Sequence, residues 1–331
     1  MLSSVGATCA IVVNMNNAIS IKNLVKEYPR KDAPPLRAVD DISIDVEQGQ
    51  IFGLLGPNGA GKSTAIKIMS TLIPPTSGTV LINGFDVVTQ SLDVRKSLCV
   101  VLQENALEVF LTVRNNFLTF GRFHGMSSAD VEKKLGHVTE LFGLGDVIGQ
   151  KPIDLSGGVK RRVQVAKMFL VDTPIVFLDE ATTGMDTFNK RATVRAIREE
   201  AQRGRTIVLT THMLEEAEEL CNAIAIINHG KIVASGTTDE VKKMGLQMFY
   251  LSLKFTEMGK ELEELIQKFA PVKIDFINNE ANITVREHSA ALNILSLAQS
   301  SGALKHFEIS TASLEDVFIE LIDEKRRGKR P

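Results

Sequence analysis

Lys62 and Ser63 end an eight-residue run, Gly56-Pro57-Asn58-Gly59-Ala60-Gly61-Lys62-Ser63, that fits G-x-x-x-x-G-K-[ST] without a gap. The run follows the apolar stretch Ile51–Leu55 and opens a helical pattern from Lys62 to Leu72, which Pro74 and Pro75 are expected to stop. Glycines allow the backbone to wrap closely around phosphate oxygens. Successive N–H groups and a helix N-terminus then point at those oxygens. In such a cradle Lys62 would reach the β- and γ-phosphates of a nucleotide and Ser63 would ligate Mg²⁺. Taken alone, the run identifies only a P-loop nucleotide-binding protein, a class that spans GTPases, kinases and helicases.

A second feature narrows the chemistry. Ile175-Val176-Phe177-Leu178 is an apolar strand pattern ending in Asp179 and Glu180. A carboxylate at the strand tip can hold Mg²⁺ through water, which assigns the second metal anchor to Asp179. Glu180 is one residue further, facing the other way along the strand. That frees it to polarise an attacking water as a general base.

A third feature is Leu155-Ser156-Gly157-Gly158, placed before a helical pattern from Val159 to Leu170. A Ser hydroxyl, glycine N–H groups and a helix N-terminus pointing one way form another anion cradle. One nucleotide does not need two such cradles from one chain. The second makes sense if it serves a nucleotide bound by a neighbour.

With Leu155–Gly158 lying between the other two motifs along the chain, the stretch from Ile19 to Gly245 resembles the ATP-binding cassette (ABC) ATPases, and further positions carry the resemblance. Gln103, at the end of a strand pattern, matches the Q-loop glutamine, a nucleotide- and metal-contacting position. Thr183-Gly184-Met185-Asp186 matches the D-loop, which makes Asp186 a candidate nucleotide-site residue. His212, after the strand pattern Thr206–Thr211, matches the switch histidine, and Tyr28 matches the aromatic that stacks on adenine. The resemblance implies ATP and Mg²⁺ as cofactors and ATP hydrolysis as the reaction. It implies that two cassettes close head to tail around two ATP. Each ATP would lie between Gly56–Thr64 of one subunit, Thr64 included, and Ser156–Gly158 of the other. Glu180 and His212 would position water and γ-phosphate. A single cassette then needs a second one, most simply a homodimer of this chain. Two positions depart from the family pattern: Val159 replaces the usual Gln after the signature glycines, and Met185 replaces the commoner Leu.

These residues need a scaffold. At 331 residues the chain is long enough for two domains, each with its own core. It holds 38 Lys plus Arg against 40 Asp plus Glu, a net charge of −2, which argues against a globally basic nucleic-acid binder. Cys9, Cys99 and Cys221 are odd in number and widely spaced, so neither a disulfide framework nor a zinc site is expected. No apolar run approaches the roughly 18–20 residues of a membrane helix.

Alternating patterns predict strands at Ala18–Lys26 and Ile42–Val46, separated by a Pro-rich loop at Pro29–Pro35. Strand patterns at Ile51–Leu55, Val80–Ile82, Ser97–Leu102, Ile175–Leu178, Thr206–Thr211 and Ala223–Asn228 alternate with helical ones, as in a mainly parallel sheet. From about residue 104 to 170 only helical spacing appears, which predicts an inserted helical subdomain. The expected fold class is α/β: a P-loop NTPase of ABC type, with a mainly parallel sheet core, an antiparallel β subdomain and the inserted helices, plus a small C-terminal α+β domain. The expected division is a disordered extension at 1–16, the ATPase domain at 17–245, a ferredoxin-like accessory domain at 246–323 with βαββαβ order, and a basic tail at 324–331. Met15 is a more natural opening than Met1. The tail Lys325–Arg330 reads as a solvated segment or as one near anionic lipid.

Leu314-Glu315-Asp316-Val317-Phe318 resembles an element that ends cassettes of the drug-, polysaccharide- and lipid-exporter branch. The resemblance implies an exporter subunit on the cytoplasmic face of the membrane, working through a separately encoded transmembrane permease, with no nucleic-acid partner. The competing reading is a soluble ABC ATPase acting on a ribosome or nucleic-acid machine.

Overall fold

The computed structural model describes residues 16–101, 106–244, 248–257 and 259–327. The expected extension before residue 16, Gln103, and the end of the basic tail lie outside the described residues. The chain divides into two compact units, one ending at Ser235 and one beginning at Gly236.

The first unit opens with a long hairpin, β1 (Asn17–Arg30) and β2 (Ala33–Glu47). The expected loop at Pro29–Pro35 is instead the tip of this hairpin: Arg30 pairs with Ala33 across the two residues Lys31 and Asp32. Proline tolerates this because β2 is an edge strand and Pro29 falls at a register shift between Tyr28 and Arg30. β3 (Ile51–Leu55) follows and is buried at all five positions. The next helix, α1, spans Lys62–Met69 and stops short of the expected Leu72. Thr71 adopts φ 62°, and the N–H groups of Leu72 and Thr71 donate to the carbonyls of Lys67 and Ile68. This is a Schellman stop, closed before the two prolines are reached.

β4 (Ser77–Ile82) and β5 (Phe85–Asp86) complete an antiparallel sheet of order β2-β1-β4-β5. A short helix α2 (Ser91–Ser97), absent from the sequence reading, leads into β6 (Leu98–Val101). Among the described residues from 106 to 174 only helices occur: α3 (Val113–Phe123), α4 (Ser128–Leu141) and α5 (Gly157–Met168), with two single 3₁₀ turns. Thr112 and Ser127 cap α3 and α4, their hydroxyls accepting from the N–H groups of Asn115 and Asp130. Phe142 and Phe169, which end α4 and α5, stack with ring centroids 5.4 Å apart.

The chain returns to the sheet with β7 (Ile175–Asp179), α6 (Thr187–Gln202), β8 (Thr206–Thr211), α7 (Leu214–Leu220), β9 (Ala223–Asn228) and β10 (Lys231–Thr237). The six-stranded order is β10-β9-β3-β8-β7-β6, and β9, β3, β8, β7 and β6 run parallel. Their side chains are buried on both faces, which explains continuous apolar runs in place of alternation. Helix α1 touches β2 and β4 of one sheet and β7 of the other. Ile66, Ile68 and Met69 there share one core with Ile19, Ile42, Val80, Phe177 and Ile227. Each such fully buried side chain contributes about 1.5–3 kcal/mol.

The second unit starts with α8 (Thr238–Met244) and continues as β11 (Phe249–Phe255), α9 (Lys260–Gln267), β12 (Lys273–Ile277), β13 (Glu280–Val285), α10 (His288–Ser300), β14 (Leu304–Thr311) and α11 (Leu314–Arg327). Its sheet order is β12-β13-β11-β14, antiparallel throughout. Leu251, Leu253, Ile283 and Val285 on one sheet face pack with Ile266 and Ile294 from the helices in a core of its own.

Candidate active site

Three adjacent parallel strands assemble the site. In β3, β8 and β7 the register pairs Leu55 with Thr211 and Asp179 with Thr210. Parallel strands end on the same edge, so the glycine-rich loop after Leu55, His212 after Thr211, and the acid pair at the end of β7 emerge side by side. A crevice outside the carboxyl ends of strands is where open α/β sheets bind ligands.

The loop's glycines serve packing as much as ligand approach. A Cβ at Gly56 would lie 2.2 Å from the Ile227 carbonyl oxygen, and one at Gly61 would lie 2.3 Å from that of Ala38. Gly61 also sits at φ 114°, in the region that favours glycine. The first helical residue is Lys62. Its Nζ donates to the carbonyls of Gly56 at 2.7 Å and Pro57 at 3.1 Å, so the ammonium lies folded back along the loop. Burial pushes its pKa below the usual lysine range, and the Glu180 and Asp179 carboxylates partly offset that. Asn58, Gly59 and Ser63 are exposed, Pro57 and Thr64 are half-buried, and Ala60 is buried.

Asp179 is buried, and its carboxylate accepts a hydrogen bond from the Thr210 hydroxyl. Glu180 does not continue the strand. It adopts φ 51°, so its direction is set by a left-handed turn and not by strand alternation. A left-handed non-glycine residue costs roughly 1–2 kcal/mol and persists where its surroundings determine it. Here the Glu180 N–H donates to the Thr210 carbonyl at 3.0 Å and lies 3.2 Å from the Thr210 hydroxyl. The turn brings Glu180 Oε1 to 3.3 Å from His212 Nδ1.

Next to this pair, the buried Glu216 carboxylate of α7 accepts from the hydroxyls of Thr182 at 2.7 Å and Thr211 at 2.9 Å. It thereby joins the segment after Glu180 to the residue before His212. Thr210 and Glu216 were not singled out from the sequence. Their only signal there is position, beside the strand end that precedes His212.

The second cradle is built on α5. Ser156 is its N-cap, with the Val159 N–H donating to Oγ at 3.4 Å, so the Val159 position serves the cap through its backbone. Ser156 and Gly157 are exposed, while Gly158 is buried. A Cβ on Gly158 would come within 3.2 Å of the Gly184 carbonyl oxygen and of Met185 Cα. The signature helix thus packs directly on Thr183–Asp186. Asp186 is the N-cap of α6: its carboxylate accepts from the Asn189 N–H at 2.9 Å and from the Asn189 amide, which holds its pKa below the usual range. Met185 Sδ lies 3.5 Å from the Thr193 hydroxyl. Tyr28 is half-buried on β1 with Lys26 Nζ 5.3 Å from its ring centroid.

Ser63 and Asp179 offer only oxygen ligands, the donor type that suits Mg²⁺ held with nucleotide phosphates and water. Among the described residues no cluster of three or more His, Cys, Asp or Glu could hold a metal by itself. Among the described residues, no helix is long and apolar enough to cross a membrane.

Comparison with known proteins agrees with this fold. Residues 39–183 match the family model for the ABC transporter, and residues 236–322 match that for the C-terminal domain of DrrA1-3-like ATP-binding proteins. The chain is 33% identical to the daunorubicin/doxorubicin resistance ATP-binding protein DrrA of Streptomyces peucetius, covering 92% of each. It is 32% identical to the Nod factor export ATP-binding protein I of Cupriavidus metallidurans, over 87% of this chain and 93% of the relative. Among solved structures it resembles the ATP-binding subunit of an ABC transporter, with TM-score 0.62 and 28% identity over 69% of this chain and 92% of that one. A dimeric ATP-binding cassette in a post-hydrolysis state with ADP and Pi shares the fold, at TM-score 0.61 and 24% identity over 66% and 98%. Motifs, topology and relatives converge: the chain belongs to the ABC transporter family as an ATP-binding and ATP-hydrolysing subunit.

Proposed function

We propose that this chain powers export through a separate membrane permease by closing, as a homodimer, around two Mg²⁺–ATP. The observation that carries the catalytic part is the edge where β3, β7 and β8 end, with His212 Nδ1 3.3 Å from Glu180 Oε1 beside the glycine-rich loop. In this reading residues Gly56–Thr64 hold the phosphates, and Ser63, Asp179 and Gln103 serve the metal. Tyr28 stacks on adenine, and Glu180 takes the proton from the attacking water. His212 contacts the γ-phosphate. The exposed Ser156 and Gly157, at the start of a different helix from Lys62, meet the partner's nucleotide, with Asp186 behind them. Mg²⁺ would supply charge neutralisation at the phosphates.

Head-to-tail sharing has a direct test. A Lys62→Ala chain and a Ser156→Ala chain should each hydrolyse poorly, while their mixture should regain activity. The mixed dimer has one site with both changes and one with neither. Failure of the mixture to recover, or full-rate hydrolysis by a strict monomer, would sink the shared site.

The export direction draws on the DrrA-like match over residues 236–322 and on the names of the relatives. The βαββαβ order and β12-β13-β11-β14 sheet support reading that segment as a ferredoxin-like accessory domain. We place the protein peripherally on the cytoplasmic face of the membrane. Affinity purification from gently solubilised membranes should bring down a polytopic membrane protein. Recovery only with ribosomes or chromatin would favour the soluble-machine alternative.

A further inference from the structure

Arg161 is on α5, the helix that begins at the exposed signature residues, five positions after Ser156. Its side chain points away from that cradle and into the protein, where the residue is only 8% exposed. Nη2 donates to the carbonyl of Asp179 and, at 3.2 Å, to the carbonyl of Glu180. Nη1 donates to Gln164 Oε1 at 3.0 Å, one turn along the same helix, which orients the guanidinium. From the opposite side, Thr210 of β8 receives the Glu180 N–H. Glu180, strained at φ 51°, is therefore gripped at its N–H by β8 and at its carbonyl by Arg161 of α5 and by the Thr183 N–H, which donates at 3.2 Å within the turn. A left-handed non-glycine residue persists only while its surroundings over-determine it, so losing the guanidinium loosens a turn that Thr210 and Thr183 alone then hold. The loosening would let the Glu180 carboxylate swing away from His212.

We propose that Arg161 is a positioning residue for hydrolysis: by clamping the Asp179 and Glu180 carbonyls it holds the Glu180 carboxylate in place and ties it to the helix whose N-terminus faces the partner's nucleotide. Each subunit then senses through one side chain whether its signature helix is seated, and sets its own acid pair accordingly. The planar guanidinium is needed because its fork of donors spans several acceptors, which a lysine ammonium does not do in fixed geometry. The proposal rests on the reading of Glu180 as the general base.

The test compares Arg161→Met and Arg161→Lys, each in the wild-type and the Glu180→Gln background. ATP turnover is followed in multiple- and single-turnover assays, with ATP-driven dimerisation as a check of the fold. Arg161→Met is expected to lower kcat roughly 10–30-fold through misplacement of the base, with KM within about threefold of normal. Arg161→Lys, which keeps the charge but not the fork, is expected to fall between; it also serves as the reporter if Arg161→Met does not fold. In the Glu180→Gln background neither change should lower turnover further, because there is no base left to position. An unchanged kcat, or the same loss in both backgrounds, would overturn the proposal while leaving Glu180 in its role. Near-normal turnover of Glu180→Gln alone would instead remove the general-base reading, and the proposal with it.

Discussion

Nδ1 of His212 lies 3.3 Å from Oε1 of Glu180, although the two residues are 32 positions apart in the chain. Two neighbouring strands in parallel register make the approach possible: β7 ends at Asp179 and β8 at Thr211, with Asp179 opposite Thr210. The half-exposed imidazole and the mostly buried carboxylate, 47% and 12% exposed at the side chain, then face one another across the site. In the proposed function, a nucleotide phosphate seated on the glycine-rich loop would meet both.

Replacing Glu180 by Gln keeps the shape and removes the proposed base. ATP binding should persist while turnover falls by roughly 10²–10⁴, the share of a general base. Equilibrium binding of a fluorescent ATP analogue, measured beside steady-state phosphate release, checks both halves. A near-normal rate would refute the role.

His212→Ala should leave the fold intact, since the side chain is half-exposed. We expect kcat to fall roughly 10–100-fold, the scale of a lost positioning contact. Nucleotide affinity in the absence of turnover should change little. If His212→Ala instead unfolds the protein at lower temperature with unchanged specific activity, the histidine is structural.

Two loop glycines should respond differently to alanine. Gly56→Ala drives a methyl group to 2.2 Å from the Ile227 carbonyl oxygen, a clash of the kind that costs about 1–3 kcal/mol and displaces the loop. Gly59 has φ 78° but no atom within 4 Å of an added Cβ, so Gly59→Ala should cost only about 1 kcal/mol. Thermal unfolding and ATP affinity of the two variants should therefore rank Gly59→Ala well above Gly56→Ala, and equal losses would contradict the packing role.

Lys167 gives a pH signature. It is buried on α5, with Nζ donating to the Ala106 carbonyl at 2.6 Å and lying 5.2 Å from the Phe120 ring centroid. Burial lowers its pKa from 10.5 to about 8. The folded state therefore holds this proton less tightly than the unfolded chain. Between pH 8 and 10.5 the unfolded chain carries more protons, so stability rises with pH across that window. Below pH 8 both states are protonated and the full burial penalty stands. Relative to Lys167→Met, the wild type should gain about 2–3 kcal/mol over the window. Denaturant unfolding of both proteins at pH 7.5 and 10.5 reads this difference, and a difference flat with pH would show that the lysine is not held charged in a poorly solvated place.

The local elements were legible where sequence pattern and burial coincide. The run Ile51–Leu55 is a strand because a parallel strand covered on both faces needs apolar side chains at every position. The pattern Phe249–Phe255 matches β11 residue for residue, since strict alternation has one satisfactory register against a one-sided core. Misreadings occurred where local rules gave way to pairing. Prolines at 29, 34 and 35 look like a loop, yet the hairpin continues through them because an edge strand and a bulge need no N–H there. Pro74 and Pro75 predict a helix running to Leu72, while the left-handed Thr71 closes α1 at Met69.

The sequence by itself determined the family and the ATP chemistry, and it named the candidates to hold phosphate, to hold a metal through oxygen and to take a proton. Contiguous motifs carry that information because each is a single turn or strand end whose groups are already neighbours along the chain. Only the tertiary structure decided how the motifs act on one another. Glu180 turns toward His212 through a left-handed residue, Glu216 joins Thr182 to Thr211, and Arg161 grips the acid pair from the signature helix. These contacts join residues separated by strands and helices, and only the parallel register of β3, β8 and β7, with α5 and α7 packed on that sheet, brings them within hydrogen-bonding distance.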